Sequence, residues 1–183
     1  MSRDEVACRR ALPADALCLA ALGLQVFLDT YAVDGLRPAL AREALQDHLP
    51  EAVARRLASP DIAILIAERA GHVVGFAETT MRAPNARLPA ATAAELNRLY
   101  VQERFTGRGV GAMLLAQSEA IAASSGATVL WLTAWAENPR ALRFYARRGY
   151  AELGAGIFEF ESDRYETRVF AKSLTPSATS RRA

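Results

Sequence analysis

The stretch that most constrains this chain is Thr106-Gly107-Arg108-Gly109-Val110-Gly111, in which three glycines alternate between a strand-like run, Glu95 to Val101, and a helix-like run. Glycines at such a junction let bare backbone N–H groups approach an anion at the positive end of the helix. The turn is therefore expected to cradle a diphosphate, with Arg108 and Arg104 able to add charge-assisted hydrogen bonds. Taken alone, the cluster is equally compatible with a tight turn that holds no ligand. Gly107-x-Gly109-x-x-Ala112 also satisfies the loose dinucleotide-binding pattern. However, the turn lies past the middle of the chain, and the strand before it carries Glu95, Asn97 and Arg98 instead of a buried apolar run. A nucleoside-triphosphate loop needs Gly-Lys-Ser/Thr, whereas Gly111 is followed by Ala112-Met113.

The rest of the chain predicts an α/β fold. Val6 to Leu12 suits a strand, Pro13-Ala14-Asp15 starts a helical stretch running to about Tyr31, and Arg37 to Leu57 is a second helical stretch broken near Pro50. Ile62–Glu68 and His72–Met81 pair as a hairpin through Arg69-Ala70-Gly71, and 82–92 is a polar, proline-containing loop. After the glycine turn comes a helix ended by Gly126, a strand over Thr128–Trp135 and a helix over Asn138–Arg148. Two closing strands are expected at Tyr150–Leu153 and Phe158–Leu174. This order implies a mixed sheet with helices on both faces.

At 183 residues, 51% hydrophobic, the chain is long enough for one domain, placed at 1–174, with 175–183 as a disordered tail. A net charge of +2 makes no demand for nucleic acid. Cys8 and Cys18 form neither a disulfide framework nor a metal-ligand set, so no metal is expected and a reducing cytoplasm suits them. The N-terminus lacks a signal core, and no apolar run approaches the roughly 18 residues of a membrane span, so no membrane association is expected.

The glycine turn and a second segment, Asn138-Pro139-Arg140-Ala141-Leu142-Arg143-Phe144-Tyr145-Ala146-Arg147-Arg148-Gly149-Tyr150, together resemble the Gcn5-related N-acetyltransferase (GNAT) superfamily. That family's signatures are Gln/Arg-x-x-Gly-x-Gly/Ala and Asn-x-x-Ala-x-x-Phe-Tyr-x-x-x-Gly-Phe. Thr106 stands where the family has Gln or Arg, which removes one side chain from a cradle made mostly of backbone. Glu95-x-x-Arg98-x-Tyr100-Val101, Trp131-Leu132 and Trp135-x-x-Asn138-Pro139 are similar to bacterial spermidine/spermine acetyltransferases of the Pai type, whose acidic late loop is partly echoed in Glu159-x-Glu161-Ser162-Asp163.

The resemblance implies acetyl transfer from acetyl-CoA to an amine. Thr106, Gly107, Arg108, Gly109, Val110 and Gly111 would hold the diphosphate. The backbone of Leu99, Tyr100 and Val101 would pair with pantetheine, with the Val101 N–H on the thioester carbonyl. Asn138 caps its helix and would also touch pantetheine. Tyr145 would protonate the thiolate. An alkylammonium, with a pKa of about 10.4, needs a base near neutral pH. Glu95 is the first candidate, with Glu78 and Glu137 in reserve. Phe27, Thr30 and Tyr31 fall where the fold forms an acceptor wall, and Trp135 and Glu137 suit a cationic amine. His48 and His72 have no assigned function. The acceptor is expected to be a small-molecule primary amine, with polyamines favoured. A protein N-terminus or lysine, or a non-catalytic acyl-CoA-binding module, remain alternatives. A homodimer is possible, as among relatives.

Overall fold

The computed structural model describes residues 5–88, 92–160 and 163–174, so the expected tail at 175–183 lies outside the described residues. Seven strands form one mixed sheet in the order β1-β2-β3-β4-β5-β7-β6. The strands are β1 Val6–Arg10, β2 Ile62–Arg69, β3 His72–Thr80, β4 Ala93–Val101, β5 Val129–Trp135, β6 Ala151–Phe160 and β7 Asp163–Ser173. The helices are α1 Ala16–Tyr31, α2 Pro38–Asp47, α3 Pro50–Ala58, α4 Val110–Ser124 and α5 Pro139–Arg147. By contact density the chain divides into two compact units, 1–78 with 98–118 and 79–97 with 119–183, the division falling inside β3, β4 and α4.

In the first unit, Ala63–Ala67 of β2 and Val74–Glu78 of β3 are buried without a break, which is the burial of strands covered on both faces. Leu19, Leu22, Val53, Ile64, Ile66 and Phe76 form one cluster there. Each such side chain contributes about 1.5–3 kcal/mol on burial. The stretch Pro13–Tyr31 departs from expectation: with 19 residues and mean hydropathy 1.3 it is long and apolar enough to cross a membrane by length and composition. Here it is a 3-10 turn followed by α1, and it places Leu19, Ala20, Leu22 and Phe27 in the core. Asp15 fixes its start, accepting from the Leu12 N–H at 2.7 Å and from both terminal nitrogens of Arg9 at 2.8 and 2.9 Å.

The second helical stretch is two helices. Pro50 opens α3 and holds Leu49 extended at ψ 139°, so the chain turns between His48 and Leu49. The first closing strand is longer than expected and the second shorter, β6 running on to Phe160 and β7 starting only at Asp163, because the two glycines between the expected strands lie inside β6. Gly154 coincides with a register shift against β7, and a Cβ on Gly156 would stand 2.8 Å from Thr167 Oγ1.

In the second unit, β5 alternates Leu130, Leu132 and Ala134 inward, and pairs antiparallel with β7 from Val129↔Ser173 to Trp135↔Thr167. The parallel ladder between β4 and β5 covers only Ala93↔Val129 to Glu95↔Trp131, although both strands run on within this unit.

Candidate functional site

In the first unit the predicted cradle forms one continuous turn. A 3-10 turn over Glu103–Phe105 delivers the chain to Thr106, whose hydroxyl donates back to the Glu103 carbonyl at 2.8 Å. Gly107 and Gly109 adopt φ +72° and +84°, and a Cβ on either would touch nothing. Space is open at both, so it is the left-handed backbone that selects glycine. The first α4 bond runs from Met113 N–H to Gly109 C=O at 3.0 Å, leaving the N–H groups of Val110, Gly111 and Ala112 without intrahelical acceptors. Arg108 and Arg69 lie 5.9 and 6.0 Å from the Phe105 ring centroid. With Val6, Gly109, Val110 and Met113, these three residues line a cavity of about 530 Å³.

Just upstream, β4 is pressed onto β3. A Cβ at Gly75 would come within 2.8 Å of the Tyr100 carbonyl oxygen, and the Gln102 N–H donates to Val74 C=O at 3.0 Å. Successive N–H groups of a strand point to opposite edges. Since that of Gln102 faces β3, that of Val101 faces the other edge, as does that of Leu99.

Within this strip the Tyr100 side chain faces a cluster of rings. Tyr100 meets Phe76 at 5.3 Å and His48 at 6.3 Å, His48 meets Phe27 at 5.4 Å, and Phe27 meets Tyr31 at 4.8 Å. Phe27 is buried and belongs to the core, Tyr31 is half-buried, and the Thr30 hydroxyl donates to its own helix at Val26 C=O. Burial raises Tyr100 well above the ordinary phenol range, with Tyr31 adding to the effect. His48, which the sequence left without a role, is 4% exposed. Its Nδ1 contacts Ala44 C=O at 2.9 Å, while Nε2 has no hydrogen-bond partner. Burial lowers its pKa. The Ala44 carbonyl and Asp47 pull it back up, and Arg98 and Arg56 oppose them.

Beside these rings lies a charge cluster that sequence reasoning missed. Arg98 of β4 reaches both Asp47 oxygens at 2.8 and 2.7 Å with Nη2, and Glu78 Oε1 with Nη1. Arg56 of α3 reaches Glu78 Oε2 at 2.9 Å with Nε, and the Asp47 carbonyl at 3.0 Å with Nη1. Glu78 is therefore engaged on both oxygens and is poorly suited to its reserve role as base. Burial works to raise Asp47, but Arg98 and Arg56 outweigh it and hold its carboxyl below the ordinary range. The only sequence signal for this cluster was an arginine and a glutamate at strand positions that otherwise bury apolar groups.

In the second unit, Glu95 is half-buried on β4 opposite Trp131 in the parallel register. Asn138 caps α5, its Oδ1 accepting from Ala141 N–H at 3.0 Å. The helix closes with Gly149 N–H on Ala146 C=O and Tyr150 N–H on Tyr145 C=O, which accounts physically for the Gly149-Tyr150 end of the motif. Tyr145 is 8% exposed and packs against Phe144, Tyr150 and Phe170 at 5.2, 5.8 and 6.1 Å. Trp135 meets Tyr165 edge-on at 6.0 Å, and Glu137 is exposed. Tyr165 is the residue that the sequence missed here: cross-strand pairing of β5 with β7 brings it alongside Trp135.

Comparison with known proteins gives a consistent result. The model of the family described as "Acetyltransferase (GNAT) family" matches residues 31–150. An uncharacterized N-acetyltransferase of Mycobacterium bovis is 32% identical over 121 residues, 66% of this chain and 73% of that protein. Among solved structures, a GCN5-related N-acetyltransferase from Rhodopseudomonas palustris superposes with a TM-score of 0.71 at 26% identity, covering 95% of this chain and 99% of that one. The PaiA N-acetyltransferase from Thermoplasma acidophilum, in complex with coenzyme A, superposes with a TM-score of 0.70 at 20% identity, covering 92% and 99%.

Proposed function

This chain belongs to the acetyltransferase (GNAT) family and is an N-acetyltransferase, and from that premise we propose that it moves the acetyl group of acetyl-CoA to a primary amine of a small molecule. The observation that carries the reading is the strip Leu99–Val101. Its Val101 N–H is turned away from β3, and the chain runs from there directly into a turn of unpaired helix N–H groups. A thioester carbonyl on the first and a diphosphate on the second use main-chain donors already fixed in direction, and donors that need no reorganisation stabilise developing oxyanion charge most effectively.

The amine attacks the thioester carbon, the carbonyl oxygen gains charge opposite an N–H donor, and collapse expels the CoA thiolate. Glu95 accepts the proton of the incoming ammonium, directly or through water, and Tyr145 returns a proton to the leaving sulfur. The half-buried Glu95, just where the β4–β5 ladder stops, supports the first role. A tyrosine gripped on three sides by aromatic rings supports the second, since a proton donor must hold its direction. Thr106, with its hydroxyl turned back to Glu103, leaves the diphosphate to the backbone, helped by Arg108. Trp135 and Glu137 suit a cationic acceptor, so polyamines come first in an acceptor screen, with peptides as the contrasting class.

Isothermal titration with acetyl-CoA should give a Kd of tens of micromolar or tighter, and no binding would end this reading. Tyr145→Phe and Glu95→Gln should each lower kcat about a hundredfold while leaving acetyl-CoA affinity within twofold. A variant with wild-type turnover removes that residue from its role.

A further inference from the structure

The ring of Asp47, Arg56, Glu78 and Arg98 uses two cations and two carboxylates from α2, α3, β3 and β4, all with side chains 26% exposed or less. Its charges cancel and its acceptors are filled, so it offers no charge to a ligand. As a stabilising device it is a poor choice, because burying four ionised groups costs desolvation that well-packed apolar side chains would avoid. What a forked guanidinium with two carboxylate partners supplies better than apolar packing is direction.

We propose that Arg98 is a positioning residue for acetyl transfer, its fork anchoring β4 so that the Val101 N–H holds the line the thioester carbonyl must meet. The inference rests on the reading of Val101 given above. Arg98 precedes Val101 by three residues, roughly 10 Å along a strand. Between them, Tyr100 shares the Arg98 face and is seated on Phe76 and His48, while Gly75 lets the two backbones close to a distance that a methyl group would forbid. Residues 98–101 are thus held through side chains on one face and through β3 on one edge. The opposite edge, with the N–H groups of Leu99 and Val101, is left to a ligand. Arg56 closes the ring from α3 and, among the described residues, hydrogen-bonds to Glu78 and Asp47 and to no residue of β4, so it separates holding the strand from holding the fold.

Arg98→Lys keeps the charge and loses the fork, and Arg56→Lys does the same at the other corner. In Arg98→Lys, kcat should fall tenfold or more. Acetyl-CoA should also lose its affinity advantage over CoA, which lacks the carbonyl, while the Kd of CoA stays within twofold. Arg56→Lys should show a comparable fall in Tm with kcat within twofold. If both variants lose turnover in step with Tm, or if Arg98→Lys turns over at the wild-type rate, the ring is structural only and the proposal is overturned. Should Arg98→Lys fail to fold, Asp47→Asn, which releases the arm of Arg98 held at 2.7–2.8 Å, takes its place against the same outcomes. A wild-type chain that binds no acetyl-CoA would instead overturn the proposed function itself.

Discussion

Two regions of the first unit handle charge in opposite ways. The turn Thr106–Gly111 is contiguous in sequence, exposed over Gly107–Gly109, and runs into the main-chain donors of a helix start. The Asp47–Arg56–Glu78–Arg98 ring draws on four separate elements, is largely buried, and is already neutral within itself. The contrast separates two uses of polarity. In the proposed function the donors of the helix start bind, and the paired groups of the interior orient. Damage to the turn should therefore appear in affinity and leave the fold intact, while damage to the ring should appear first in stability.

Glu78→Ala tests the ring side most severely. It leaves two guanidiniums buried with Asp47 as their sole remaining carboxylate, and removing one partner of such a network typically costs about 3–5 kcal/mol. Urea or thermal unfolding should report a loss of that order, whereas a loss below about 1 kcal/mol would mean that the ring behaves like an exposed ion pair. Gly109→Val tests the turn side. A β-branched residue at φ +84° is strained by at least the roughly 1–2 kcal/mol of left-handed backbone, and the turn relaxes away from the helix axis. CoA affinity should fall about tenfold or more in titration, with Tm lowered by only several degrees. Unaltered affinity would show that the backbone at Gly109 does not hold the cofactor.

The same contrast explains what could be read from the sequence. The turn was legible because its physics is local: glycine alternation, a following helix and nearby arginines all lie within a dozen residues. Asn138-Pro139 and Gly149-Tyr150 were legible for the same reason, being the two ends of one helix. The ring was not legible. Asp47 and Arg98 are 51 residues apart, Arg56 and Glu78 are 22 apart, and no spacing rule links them, so Glu78 was read as a reserve base, Arg98 as part of a strand motif, and Asp47 and Arg56 drew no reading. Tyr165 was hidden by register, because only the β5–β7 pairing sets it beside Trp135. The late strands were misjudged at Gly154 and Gly156, where the sheet absorbs as a bulge and a close approach what the sequence suggested was a break.

The smallest effect, and the one that joins the two regions, concerns His48, packed between the rings next to Tyr100 and 3.7 Å from an Asp47 oxygen. Its folded pKa lies below the ordinary histidine value because burial disfavours the imidazolium, with Arg98 and Arg56 adding to the effect against Ala44 C=O and Asp47. Below about pH 6.5 the unfolded chain binds a proton at this position that the native state refuses. Native stability must therefore fall as pH drops from about 6.5 toward the folded pKa, with a slope of at most about 1.4 kcal/mol per pH unit, and be fully present above that window. His48→Gln should remove this step, whereas His72→Gln, at the exposed start of β3, should leave it in place. Should the step persist in His48→Gln, the acid sensitivity belongs to another group and the imidazole does not sense its burial. Should it vanish in His48→Gln and survive in His72→Gln, the imidazole packed against Tyr100 is the group through which the ring side of the molecule senses acid.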